Sequence, residues 1–315
     1  MSTNLEFAAI QRALSAVEAY LHESNGADAL LARREAGLAD PGDAAAVDAA
    51  AAAVLNAQHD DGSWGGGLLD TAEALLELHE LWEGENRGSG RIERGLDWLR
   101  TRRGVPGRYG ETCDPRRHEL SLCHHFLGGF FSPAPPDPPP EALRLSCGAP
   151  VAGDAAARLV ASCVALQAKL RWGRYGRDVE LHLEGLRRIV DLWDQREGLF
   201  TVPAFVAAVA ALADAPDQQS RDAAARGIAT LVGAQRADGT WPDVDLFQVM
   251  ELLERAARAG GSSPALDAAL RRGAVLLAVS LQEDGTWGQH AGTRRTLIGW
   301  RALRYAVAIQ EKMST

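Results

Sequence analysis

The sequence predicts an all-α chain built from stacked helical hairpins. Three observations carry that expectation. Alanine-rich stretches run from Ala44 to Ala53, Ala204 to Ala213 and Ala265 to Ala278, and alanine is the strongest helix former. Alternating β-branched runs of the kind that make half-buried strands are almost missing. A glutamine followed by an Asp-Gly-Ser/Thr-Trp turn recurs down the chain, as Gln58-His-Asp-Asp-Gly-Ser-Trp64, Gln235-Arg-Ala-Asp-Gly-Thr-Trp241 and, one residue shorter, Gln282-Glu-Asp-Gly-Thr-Trp287. Recurrence at a period of 20–50 residues marks a repeat architecture.

Weaker copies extend the pattern. Gln195-Arg-Glu-Gly-Leu-Phe200 is one, and the Arg-Gly-Val-Pro-Gly-Arg-Tyr stretch ending at Tyr109 is another. The aromatic ends fall at 64, 109, 200, 241 and 287, separated by 45, 91, 41 and 46 residues, so the 91 counts as two periods. A degenerate unit at Cys147-Gly-Ala-Pro-Val-Ala-Gly-Asp154 fills the open slot.

Each unit reads as a first helix, the Gln and Asp-Gly turn, and a second helix starting a few residues after the aromatic, with Gly supplying the positive φ that stops a helix. The first helices are expected at about 43–57, 90–102, 178–194, 220–235 and 264–281, and the second helices at about 69–83, 115–130, 155–170, 202–213, 245–259 and 294–310. The Pro-rich stretch Ser132 to Pro140 cannot be helical and reads as a surface insert. The second helices are apolar on nearly every face, which predicts that they lie inside the first helices. Residues 1–42 form a helical extension ahead of the repeats, and 43–315 form the repeat domain.

Composition narrows the function. With 46% hydrophobic side chains in 315 residues the chain can bury a large core without cross-links. A formal net charge of -9 gives no basic field for nucleic acid, so no nucleic-acid partner is expected. No run of about 18 apolar residues suggests a membrane span, and no secretory signal is visible, so the expected location is cytoplasmic. The four cysteines, Cys113, Cys123, Cys147 and Cys163, are too unevenly placed for a disulfide framework and default to free thiols. Oligomeric state is not legible.

The Gln-x3-Gly-x-Trp units, followed by Asp70-Thr-Ala-Glu-Ala-Leu-Leu-Glu-Leu, resemble the repeats of the prenyltransferase and squalene-cyclase superfamily over about residues 43 to 310. The resemblance implies an (α/α)6 toroid with a central funnel, here with an extra N-terminal helical segment, and an isoprenoid or polyene ligand in the funnel. It also implies that the glutamines and tryptophans of the units stack between hairpins as structural parts. Two signatures carry chemistry in that superfamily. Class II terpene cyclases protonate an alkene with Asp-x-Asp-Asp, and Asp243-Val-Asp245-Leu246 begins like that motif with leucine in place of its last carboxylate. Protein prenyltransferases hold zinc with Asp-x-Cys and a later His, and here Asp245 stands where the thiolate would be.

The residues themselves suggest more. Asp70, Asp114, Asp154 and Asp245 all fall at the starts of expected second helices, so a closed barrel would gather them at one mouth. Crowded carboxyls in a partly apolar cavity gain proton affinity and can serve as general acids. Capping explains the same positions, with Asp70-x-x-Glu73 as a capping box and Asp114-Pro115 as a cap followed by proline. Cys113, His118, Cys123, His124 and His125 form a second cluster, whose thiol and imidazole groups suit zinc. Leu122-Cys-His-His-Phe-Leu-Gly-Gly also resembles the Cys-His-Gly zinc element of lanthionine cyclases. Finally, Arg294 and Arg295, near His290 and opening the last second helix, offer a site for a diphosphate or carboxylate.

Three functions are consistent with these features. The first is a terpene-cyclase-like enzyme using Asp243, Asp245 or Asp114 as acid without a cofactor, with Asp70, Asp154, His290, Arg294 and Arg295 binding substrate. The second is a zinc enzyme of prenyl-transfer or thioether chemistry using Cys113, Cys123 and His124. The third is a ligand-binding or scaffold toroid without chemistry.

Overall fold

The computed structural model describes residues 3–83, 90–102, 142–193, 201–288 and 292–314, and helix accounts for 73% of them. The chain is all-α. In order, the helices are α1 Thr3–Glu23, α2 Ala27–Ala36, α3 Asp43–Asn56, α4 Leu68–Leu81, α5 Gly90–Thr101, α6 Asp154–Arg171, α7 Arg177–Asp191, α8 Val202–Ala213, α9 Gln218–Ala234, α10 Leu246–Ala256, α11 Pro264–Ser280 and α12 Gly292–Ser314. A π-helical turn, Ala257–Gly261, comes directly after α10. The expected helices at 43–57, 90–102, 202–213 and 264–281 match α3, α5, α8 and α11 to within a residue at each end. The expected helix at 115–130 and the insert at 132–140 lie outside the described residues, as do Tyr109 and Phe200. Two short strands, β1 Ala142–Arg144 and β2 Pro150–Ala152, flank the turn at Cys147. Nothing in the alanine-rich pattern signalled them.

The chain divides into two compact units. The first comprises residues 1–50, 144–149 and 228–315. In it α10 packs on α12, α11 covers both, α1 lies against α11 and α12, and α2 lies against α12. Arg33 of α2 ties the N-terminal helices together. Its guanidinium donates to both oxygens of Asp43 at 2.8 Å and to the carbonyls of Leu21 and Ser24 at 2.7 Å. That bond holds the Asp43 carboxyl below its ordinary range.

The second unit comprises residues 51–143 and 150–227. Here α4 packs directly on α6 and α6 on α8, with α5 against α4 and α6 and α7 against α8. Almost every side chain from Ala156 to Leu170 is buried, as are Ala204 to Val209 on α8, so α6 and α8 form the covered layer. Arg171 closes it, reaching Glu80 of α4 at 3.5 Å and Asp214 after α8 at 3.1 Å.

The three strong turns share one set of bonds. Each tryptophan donates its indole N–H to a carbonyl ten residues back: Trp64 to Val54 at 2.7 Å, Trp241 to Leu231 at 2.7 Å and Trp287 to Leu277 at 2.9 Å. In each turn the aspartate accepts from the backbone N–H and hydroxyl two residues on, namely Asp61 from Ser63, Asp238 from Thr240 and Asp284 from Thr286. These bonds lower the proton affinity of Asp61 and Asp238. Gln58 then donates onward to Arg91 O at 2.8 Å and Gln235 to Ala269 O at 3.1 Å, stitching each turn to the next first helix. Those side chains are structural, as the resemblance implied.

The turn glycines show which helix each turn is seated on. All three have positive φ, and a Cβ would stand 2.7 Å from Arg94 O of α5 at Gly62, 2.7 Å from Arg272 O of α11 at Gly239, and 2.9 Å from Ala16 O of α1 at Gly285. The N-terminal α1 therefore receives the third turn as α5 and α11 receive the other two.

Candidate active site

The best-formed polar arrangement lies in the first compact unit, at the N-terminal ends of α10 and α12. Asp245 stands in extended conformation just before Leu246 and caps α10, its Oδ1 accepting the Phe247 N–H at 2.9 Å. The other oxygen, Oδ2, accepts from Arg295 Nη2 at 2.6 Å. Arg295, in the first turn of α12, also donates through Nε to the Cys147 carbonyl at 2.7 Å and lies 4.6 Å above the Phe247 ring. Phe247 in turn meets Trp287 edge to face at 5.9 Å. The two side chains of the pair are 18% and 22% exposed, so solvent or a ligand can reach them.

Beside this pair, Arg294 donates to Glu251 at 2.6 Å and lies 3.6 Å from Asp28 of α2. The buried Cys147 lies in the field of both arrangements. Burial first, and then Glu251 and Asp245, push its thiol up to about 12, against the opposing effects of the Ala149 backbone hydrogen bond and of Arg294. A thiol held protonated in this way is neither a nucleophile nor a ready metal ligand.

The other sequence-derived candidates are dispersed. Asp243 is exposed and adopts a left-handed conformation, φ +58°. It lies two residues after Trp241, where the first repeat has Gly66 after Trp64, at φ +73°. Asp70, in the second compact unit, is an exposed third residue of α4, and Gly67 holds the cap position in place of the expected capping box. Its carboxyl covers the glycine loop so closely that a Cβ would stand 2.6 Å from Oδ2 at Gly65 and 2.7 Å at Gly67. Thr71 secures that loop, its hydroxyl accepting from Trp64 N at 3.0 Å and donating to Gly67 O at 2.8 Å. Asp154 opens α6 behind Gly153. Asp114, His290, Cys113, Cys123 and His124 lie outside the described residues. Among the described residues no three His, Cys, Asp or Glu side chains come together to hold a metal, and no helix is long and apolar enough to cross a membrane.

Four participants were not singled out from the sequence. Phe247 and Glu251, two and six residues beyond Asp245, were within reach of a closer look at α10. Asp28 and the Cys147 carbonyl are brought in from distant parts of the chain, and no local pattern marks them. Another carboxyl, Glu254, is 4% exposed and gains proton affinity by burial, but it bonds Arg258 at 2.7 Å and offers no surface to a ligand.

No family model and no curated protein matches the chain. Solved structures do. The type II terpene cyclase MstE from Scytonema, in complex with geranylgeranyl dihydroxybenzoate as substrate, aligns with a TM-score of 0.58 at 14% identity over 97% of this chain and 99% of its own. The same enzyme in complex with merosterolic acid A, its product, gives 0.55 at 12% identity over 98% and 99%. A protein from Actinoplanes gives 0.53 at 19% identity over 96% and 99%. The chain shares the fold of a type II terpene cyclase. At such identities the likeness concerns fold, and it extends over nearly the whole of both chains.

Proposed function

We propose that this chain is a terpene-cyclase-like enzyme that opens the cyclisation of an isoprenoid or other polyene by protonating an alkene, with Asp245 as the acid. The observation that carries the reading is the Asp245–Arg295 pair at the start of α10 and α12, in a chain that shares its fold with a type II terpene cyclase whose structures hold its substrate and its product. Those complexes were obtained with an arginine or an aspartate replaced by alanine, the two residue types paired here.

The geometry suits the step. A carboxylic acid still accepts through one oxygen while it donates through the other, so Asp245 can keep its Arg295 bond with a proton on Oδ1. That proton passes to the less substituted carbon of the alkene, whose π pair forms the new C–H bond and leaves a tertiary cation. Neighbouring double bonds then close rings onto the cation, and the last cation loses a proton or takes up water with loss of a proton. The aspartate left behind has Arg295 and the Phe247 N–H as donors already in place, which is preorganised stabilisation of developing charge. Solvent returns the proton. Asp243, exposed on its turn, lacks the water-poor surroundings that alkene protonation needs.

The test is product formation from linear isoprenoids, monitored by gas chromatography and mass spectrometry without added metal. Asp245→Asn keeps the cap and the acceptor for Arg295 while removing the proton, and should lower turnover roughly 100-fold or more while ligand binding persists. Turnover that survives in Asp245→Asn refutes the acid assignment. Binding without any product in the wild-type protein would favour a ligand-binding protein without chemistry.

A further inference from the structure

We infer that the substrate meets this site with an uncharged end: the site takes a neutral isoprenoid, an alcohol or hydrocarbon, and excludes a prenyl diphosphate. The inference rests on the cyclase reading and adds the substrate class to it.

Arg294 and Arg295 are the cations that the sequence offered to a diphosphate. Both are engaged by the protein. Arg295 is held by the Asp245 carboxylate, the Cys147 carbonyl and the face of Phe247. Arg294 lies between Glu251 and Asp28. The N-terminus of α10, which would otherwise attract an anion, is capped by Asp245. Glu251 and Asp28 face the two terminal nitrogens of Arg294 at 2.6 and 3.6 Å, so its charge is answered within the protein. A diphosphate arriving here would bring at least two negative charges, and would have to displace Glu251 or Asp28 to reach Arg294, or the Asp245 side chain to reach Arg295. A hydroxyl or an alkene carries no charge and meets no such opposition. Glu251 and Asp28 are thus specificity-determining residues, which engage the two terminal nitrogens of Arg294.

The experiment compares dissociation constants of geranylgeraniol and geranylgeranyl diphosphate by quenching of intrinsic tryptophan fluorescence, with conversion of both measured in parallel. Wild-type protein should bind the alcohol at least 10-fold more tightly. In the double variant Asp28→Asn, Glu251→Gln, which releases Arg294, the ratio should shift toward the diphosphate by at least 10-fold. Tighter binding of the diphosphate by wild-type protein, an unshifted ratio in a folded double variant, or binding of neither ligand overturns the inference. Should the double variant fail to fold, the wild-type ratio decides alone. Turnover of the diphosphate in preference to the alcohol would overturn this inference and leave the cyclase reading standing. Preferential binding of the alcohol without turnover would uphold the inference and remove the cyclase reading.

Discussion

Substituting Gly62 by alanine should be far more damaging than substituting Gly66, though the two glycines are four residues apart in one loop and both have positive φ. At Gly66, φ is +73° and an added Cβ meets nothing within 4 Å. Its replacement incurs backbone strain alone, about 1–2 kcal/mol. At Gly62, φ is +95°, and the Cβ would stand 2.7 Å from the Arg94 carbonyl oxygen and 3.0 Å from its carbon. That contact is with helix backbone, which cannot rotate away, so α5 must shift from a position fixed also by Trp64 under Gly95. Overpacking of this kind costs about 1–3 kcal/mol more, giving about 2–5 kcal/mol in total. Both sites lie in the same compact unit, so they report on the same transition. Urea unfolding monitored by tryptophan fluorescence measures the difference as a shift of midpoint at constant slope. An equal or smaller loss in Gly62→Ala than in Gly66→Ala would refute the claim that the repeat turn is seated on the next first helix.

Single positions give two further expected outcomes. Asp243→Gly should stabilise the chain by about 0.5–1 kcal/mol, because it relieves a left-handed conformation at an exposed residue; a loss of stability would show that the Asp243 side chain holds the turn. His182 of α7 is fully buried with Nε2 3.4 Å from Ser162 Oγ, and burial lowers its pKa from 6.5 to about 3. The folded protein therefore binds fewer protons than the unfolded chain between those values, so stability should fall as pH drops below 6.5 and level off near 3, with a slope of up to about 1.4 kcal/mol per pH unit. His182→Gln should flatten that part of the stability profile, and an unchanged slope in the variant would assign the dependence to other groups.

The helices were legible because their signals are local. Pro264 behind Ser263, the alanine run of α8 and the Asp-Gly turns each fix a boundary within a few residues, by capping, propensity and positive φ. How the helices associate was less legible. Residues 82–153 separate α4 from α6 in the chain, yet the two pack directly against each other, and no periodicity encodes which apolar face meets which. The N-terminal segment carries no Gln/Gly/Trp unit of its own, and only the close approach of Ala16 to Gly285 reveals that α1 receives a turn in the same way as α5 and α11.

The site divides along the same line. An aspartate before a helix is a local signal, so Asp245 could be read as a cap and a candidate acid at once. The structure shows that it caps α10 and also bonds Arg295, fifty residues on, because a carboxylate has two oxygens and the cap uses one. The sequence offered Asp243 and Asp245 as alternative acids. The backbone separates them: Asp243, two residues beyond Trp241, turns left-handed and is exposed, while Asp245 returns to extended geometry and enters the helix end. The spacing that resembled a catalytic motif is thus also the spacing of a turn leading into a cap. What makes Asp245 more than a cap is the guanidinium on its second oxygen, and a reading from local pattern has no means of seeing that partner.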